Sequence, residues 1–106
     1  VEIVTIHIGI TGSREGCSVT RLRELMDVMS EYAAPTYPRL IPADLVVFHF
    51  GDCTGVDFQG FHLAKVLEFQ TTAHPPTNPT WRAYCDADQV LPEKPYMERN
   101  RDIVNA

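Results

Sequence analysis

A chain of 106 residues suits one small domain over residues 1–106, and with 44% hydrophobic residues it has enough apolar side chains for a core, which excludes general disorder. Nine basic side chains against 14 acidic ones leave a net charge of −5; that charge repels phosphate polymers, so nucleic acid is not an expected partner, while one small phosphate-bearing ligand in a local positive pocket stays compatible. No apolar run approaches the roughly 18 residues of a membrane helix, and the start lacks the basic-then-apolar order of a signal peptide, so no membrane partner is expected.

In chain order, Val4 to Ile10 places Val4, Ile6, Ile8 and Ile10 on one face and Thr5, His7 and Gly9 on the other. Period two with β-branched residues predicts a strand. The stretch from Thr11 to Gly16 is turn material, and Cys17 then precedes Ser18, which is placed to cap a helix. In that helix Leu22, Leu25, Met26, Met29, Tyr32 and Ala33 share one apolar face, and Pro35 and Pro38 stop it. After a loop at Pro42-Ala43-Asp44, the run from Leu45 to Phe50 is apolar without alternation, the pattern of a strand covered on both faces. A second helix is expected from Val56 to Leu67, with Val56, Gly60, Leu63, Ala64 and Leu67 on one stripe. Gly60 costs roughly 1 kcal/mol against alanine in a helix interior, which close packing on the sheet would justify.

Phe69 to Ala73 reads as a shorter strand, and the prolines between His74 and Pro79 forbid regular pairing. Trp81 to Ala87 has the character of a short helical turn, with Trp81 expected in the core rather than stacked on a ligand. Asp88 to Leu91 reads as a brief strand, and Pro95 suits the first position of a third helix, Tyr96 to Val104. This alternation predicts an α/β fold: an open, mostly parallel sheet flanked by helices in three layers. The three cysteines, Cys17, Cys53 and Cys85, are too scattered for a disulfide framework or a CxxC pair, and a reducing cytoplasmic location is expected.

Ligands of such sheets bind beyond the carboxyl ends of the strands. Two loops leave those ends. Thr11-Gly12-Ser13-Arg14 offers a glycine for close approach, hydroxyls and a forked cation, or else an ordinary strand-to-helix turn. Gly51-Asp52-Cys53-Thr54-Gly55-Val56-Asp57 offers backbone amides and the Thr54 hydroxyl to an anion, and the Asp52 and Asp57 carboxylates to sugar hydroxyls. The same residues also serve a plain helix start, with Thr54 as cap and Asp57 answering the dipole. Arg99 and Asn100, on the third helix, can reach a ligand phosphate or pair with the loop carboxylates. His74, at a strand end, can contact a ligand or close its loop. His49, Cys53, His62 and His74 match no zinc spacing, so neither a metal nor a cofactor is expected, and no base is placed beside Cys53 to make it a nucleophile.

Taken together, Gly12-Ser13-Arg14, Gly51-Asp52-x-x-Gly55-x-Asp57, His74-Pro75-Pro76 and Arg99-Asn100-x-x-Ile103-Val104 resemble, in this order, the SLOG superfamily. That Rossmann-like group includes the lonely-guy phosphoribohydrolases, the DNA-processing protein A family and small bacterial and phage nucleotide-binding proteins, the last being the branch most similar here. The resemblance implies a nucleotide-derived ligand held by the strand-end loops at Thr11, Gly12, Ser13, Arg14, Gly51, Asp52, Thr54, Gly55, Asp57, His74, Arg99 and Asn100. Met97-Glu98-Arg99 is similar to the helix motif whose arginine assists cleavage between base and ribose phosphate in the lonely-guy enzymes. It makes Arg99, with Asp57, the candidate for catalysis. The Gly-Gly-x-Gly-Thr-x-x-Glu segment and the next strand of that pattern do not occur before Ala106. Three expectations follow: the chain is a truncated piece, a partner chain such as a second copy completes the sheet at its open edge, or the domain binds without hydrolysis. Binding is the first expectation, glycosidic-bond hydrolysis of a nucleoside monophosphate the second, and a DNA-processing role the third.

Overall fold

The structure, a computed structural model, describes residues 5–12, 15–33 and 46–106. Expectations placed on Val4, Ser13, Arg14, Pro35, Pro38, Pro42-Ala43-Asp44 and Leu45, and on the side chains of Tyr32 and Ala33, lie outside the described residues. The elements are β1 (Ile6–Gly9), α1 (Val19–Ala33), β2 (Val46–Phe50), α2 (Val56–Val66), β3 (Gln70–Ala73), β4 (Gln89–Val90) and α3 (Tyr96–Val104), with a 3-10 turn at Pro79–Trp81 between β3 and β4. The four strands form one open sheet in the order β1-β2-β3-β4, every pair parallel. This is the expected small α/β, Rossmann-like architecture.

Register decides what each face carries. Ile6 pairs with Val46 and Ile8 with Phe48, while His7 pairs with Val47 and Gly9 with His49. Phe48 pairs with Thr71 and Phe50 with Ala73, while His49 pairs with Thr72. Alternation then puts Ile6, Ile8, Ile10, Val46, Phe48, Phe50, Thr71 and Ala73 on one face. That face takes α1 and α2 and holds the core: Met29, Val46, Phe48, Phe50, Phe61, Ala64, Phe69 and Ala73. Two parallel crossovers running the same way along the sheet leave both helices on one side. The opposite face carries His7, Gly9, Val47, His49 and Thr72, and α3 lies across it. A side chain at Gly9 would meet Ile103 of α3 at 2.9 Å.

Local chemistry explains the element ends. The Ser18 hydroxyl accepts from the Arg21 amide at 3.3 Å, which caps α1 as expected. In α2, a Cβ on Gly60 would lie 2.9 Å from Phe48 and 3.2 Å from Ile10, so the helix sits closer to the sheet than alanine allows. Phe61, left off the expected stripe, is buried against Phe50 with ring centroids 5.2 Å apart. Two expectations are corrected. Trp81 is 46% exposed rather than in the core, because its 3-10 turn rides over the loop after β2, where the Thr54 amide donates to the Trp81 carbonyl at 2.8 Å. Pro95 is the N-cap of α3 rather than its first residue, with an extended ψ of 149°.

Candidate functional site

The carboxyl ends of β1 and β2 open beside the start of α2 and the first turn of α3. Gly55 begins α2 at φ 87°, a conformation that disfavours a side chain, and among the described residues no side chain caps the helix. Thr54 is exposed and makes no side-chain cap, so the cap reading of that residue is set aside. Asp57, in the first turn, is instead buried, 5% exposed, and turned back toward the loop. Its Oδ2 accepts from the Cys53 amide at 3.4 Å.

Arg99 comes from α3 and is 3% exposed. Its guanidinium lies over Gly51, in the space a β-carbon there would occupy, and beside the Asp57 carboxylate. Arg99 Nη1 and Asp57 Oδ2 are 3.6 Å apart, too long for a hydrogen bond though close enough to attract. Arg99 Nη2 points to the Cys53 thiol at 3.9 Å, and the guanidinium stacks 4.7 Å from the Tyr96 ring centre. Among the described residues, the buried Asp57 Oδ1 and Arg99 Nε find no partner. Burial pushes the Asp57 carboxyl up to about 6, although Arg99 and the amides of Cys53 and Gly51 pull the other way. A narrow pocket of about 10 Å³ lies here, lined by Thr11, Gly12, Cys53, Asp57, Arg99 and Asn100, with Tyr96 at its side. That is room for one water-sized group. Thr11 also borders a wider cavity of about 220 Å³ over the α3 face, where His7, Gly9, His49 and Ile103 line the walls.

The structure therefore brings together Thr11, Gly12, Asp57, Arg99 and Asn100, with Gly51 beneath them. Gly12 also packs on α2, since a Cβ there would meet Val56 at 2.7 Å. Ser13 and Arg14 lie outside the described residues. Asp52 goes elsewhere. It is 1% exposed, its Oδ1 accepts from the Cys85 amide at 2.8 Å, and its Oδ2 accepts from Arg82 Nε at 3.1 Å. Arg82 continues to Glu93 at 2.8 Å. This carboxylate ties the segment after the 3-10 turn to the loop after β2, and together with burial it helps push the Cys85 thiol up to about 12. None of Cys17, Cys53 and Cys85 is in a disulfide.

His74 is buried and borders a separate cleft of about 60 Å³ with Leu91, Lys94, Arg99 and Asp102. It also ends a row of three imidazoles that sequence reasoning did not assemble. His7 Nδ1 lies 2.8 Å from His49 Nε2, and His49 Nδ1 lies 2.9 Å from His74 Nε2. The signal was present in strand parity. His7 and His49 share a face once β1 and β2 are in register, and His74 follows Thr72, the partner of His49, by two residues. Among the described residues, no group of three or more His, Cys, Asp or Glu side chains is arranged to hold a metal ion, and no helix is long and apolar enough to cross a membrane. Comparison with protein-family models, curated proteins and solved structures finds no match to this chain.

Proposed function

We propose that this domain binds a nucleotide or nucleotide-derived small molecule at the carboxyl edge of the sheet. The observation that carries the reading is the pair Asp57 and Arg99: two buried, oppositely charged groups, each with a polar atom that has no partner among the described residues, facing one pocket at a strand-end junction. Buried polar atoms are nearly always satisfied, and an orphaned pair at a pocket wall is a place where a ligand oxygen completes the bonding. Arg99 and Asn100 would hold a phosphate or ribose oxygen, and Asp57 would accept from a sugar hydroxyl. The uncapped amides at the start of α2 favour an anion in the same place. The ligand's remaining bulk would extend past Thr11 into the wider cavity. The SLOG resemblance stands beside this reading as a proposal of the same kind.

A thermal-shift and calorimetry screen against nucleoside monophosphates, nucleotide sugars and ADP-ribose derivatives tests it. At least one should raise the melting temperature saturably, and Arg99→Ala should weaken that ligand by on the order of tenfold or more, as loss of a charge-assisted bond implies. A folded protein that none of them stabilises would count against binding. A second reading, hydrolysis of the bond between base and ribose phosphate, is favoured by one observation: a carboxyl held at about 6 beside a guanidinium can give or take a proton near neutrality. Free base released from adenosine monophosphate, lost in Asp57→Asn and in Arg99→Ala, would establish it; intact nucleotide after prolonged incubation would remove it.

A further inference from the structure

The histidine row crosses three strands and joins two cavities that the proposed ligand site does not use in common. His7, on β1, lines the wide cavity; His74, just after β3, lines the cleft beside Arg99 and Asp102; buried His49, on β2, bridges them. Both gaps, 2.8 and 2.9 Å, are hydrogen-bond lengths. Each gap holds one proton, since two lone pairs or two N–H groups cannot face each other at that distance. With three neutral rings, only two arrangements satisfy both gaps. In one, every Nδ1 carries the hydrogen and the row donates from His7 toward His74. In the other, every Nε2 carries it and the row donates the opposite way. The outer nitrogens, His7 Nε2 and His74 Nδ1, are left to exchange with whatever occupies the two cavities.

We propose that His7, His49 and His74 form a proton relay, a second functional site that carries one proton between the cavity over β1 and the cleft beside Arg99 and Asp102. A proton arrives at His7 Nε2. The His7 Nδ1 hydrogen passes to His49 Nε2, the His49 Nδ1 hydrogen passes to His74 Nε2, and the His74 Nδ1 hydrogen leaves to water or to the Asp102 carboxylate. One proton enters, one leaves, and only N–H bonds are exchanged. The surroundings set its direction. At the far end Asp102 attracts a proton, while Arg99 and Lys94 repel it; at the middle, burial and the flanking imidazoles act on His49. Burial lowers the pKa of His49 and of His74, so a charge passing through these two rings is transient. Transfer needs no displacement of the backbone, because the sheet register already fixes the three rings. A group that gains or loses a proton on entering the wide cavity is the chemistry such a row serves.

Imidazole NMR on the ¹⁵N-labelled full chain tests the relay without any ligand. The wild-type protein should show scalar couplings between His7 Nδ1 and His49 Nε2 and between His49 Nδ1 and His74 Nε2. On lowering the pH from about 8 to about 4, the curves of His49 and His74 should share a midpoint, the behaviour of a coupled set. His7→Asn, at the exposed end, should move the His74 midpoint by about one unit although it lies two strands away. His49→Phe should uncouple His7 from His74 altogether. Absence of both couplings in the folded wild-type protein would overturn the relay. So would a His74 titration curve that His7→Asn leaves unchanged.

Discussion

Arg99 can be buried in this small domain because Gly51 has no side chain and Asp57 lies beside it. A methyl group at residue 51 would take the place of the guanidinium and crowd the Asp57 carboxylate. Gly51→Ala should therefore destabilise the fold by roughly 1–3 kcal/mol, the usual cost of overpacking, and should also remove the ligand site. Urea unfolding of the two proteins checks the first effect, and calorimetry the second. Asp52 makes a different contribution from its neighbour in the same loop. Asp52→Ala would strip Arg82 of a buried partner and leave the Cys85 amide unmatched, a loss on the order of 3 kcal/mol, and should open the segment between Trp81 and Ala87 to protease first. Limited proteolysis followed by mass spectrometry reads this directly. Sequence pattern alone made both acids candidates for a ligand, since both stand in a polar loop at a strand end. What separates them lies 30 and 33 residues later in the chain, in Arg82 and the Cys85 amide, and no local pattern encodes that pairing.

Among the elements, α2 fits closely against the sheet. Gly60 stands against Phe48 and Ile10, so Gly60→Ala sets a helix-propensity gain of roughly 1 kcal/mol against a steric clash with two core side chains. The clash should prevail, because Phe48 is itself fully buried and has little room to move. A melting temperature lower than wild type, rather than higher, is the expected outcome. Gly60 was legible from the sequence as a site of close packing, since a glycine inside a helical stripe needs such a reason. β2 was legible as well, because its unbroken apolar run matches a strand covered on both sides. Trp81 was not. Its bulk suggested the core, but the prolines before it carry the chain over the surface of the strand-end loop, where half of the ring stays in solvent.

At the scale of the whole molecule, the two faces of the sheet differ in chemistry. One is packed with Phe48, Phe50, Phe61 and Met29; the other carries histidines under the short helix α3. That asymmetry makes stability depend on pH. His49 falls from 6.5 to about 4 on folding, so the unfolded chain binds more protons in that interval. The stability it contributes is complete above pH 6.5 and is lost as the pH falls toward 4. His74, also lowered, acts in the same direction. Asp57 acts oppositely: it rises from 3.8 to about 6, so the folded state holds its proton longer, and its contribution is largest at low pH and lost as the pH climbs through 6. Chemical denaturation at about pH 7, 5.5 and 4.5 should show His49 and Asp57 opposing each other in the wild-type protein, and His49→Phe should lose less stability with acid than the wild type does. The alternation of strands and helices revealed this architecture in the sequence; the histidine row emerged only when the register set three separate strands side by side.

The central claim, a nucleotide site built on Asp57 and Arg99, is tested most directly by amide NMR during titration with adenosine monophosphate. Saturable shifts should concentrate at Thr11, Gly12, Cys53, Asp57 and Asn100, and Arg99→Ala should move them to ligand concentrations about tenfold higher or more. Saturable shifts confined to other residues, or the same shifts with unchanged affinity in Arg99→Ala, would contradict it.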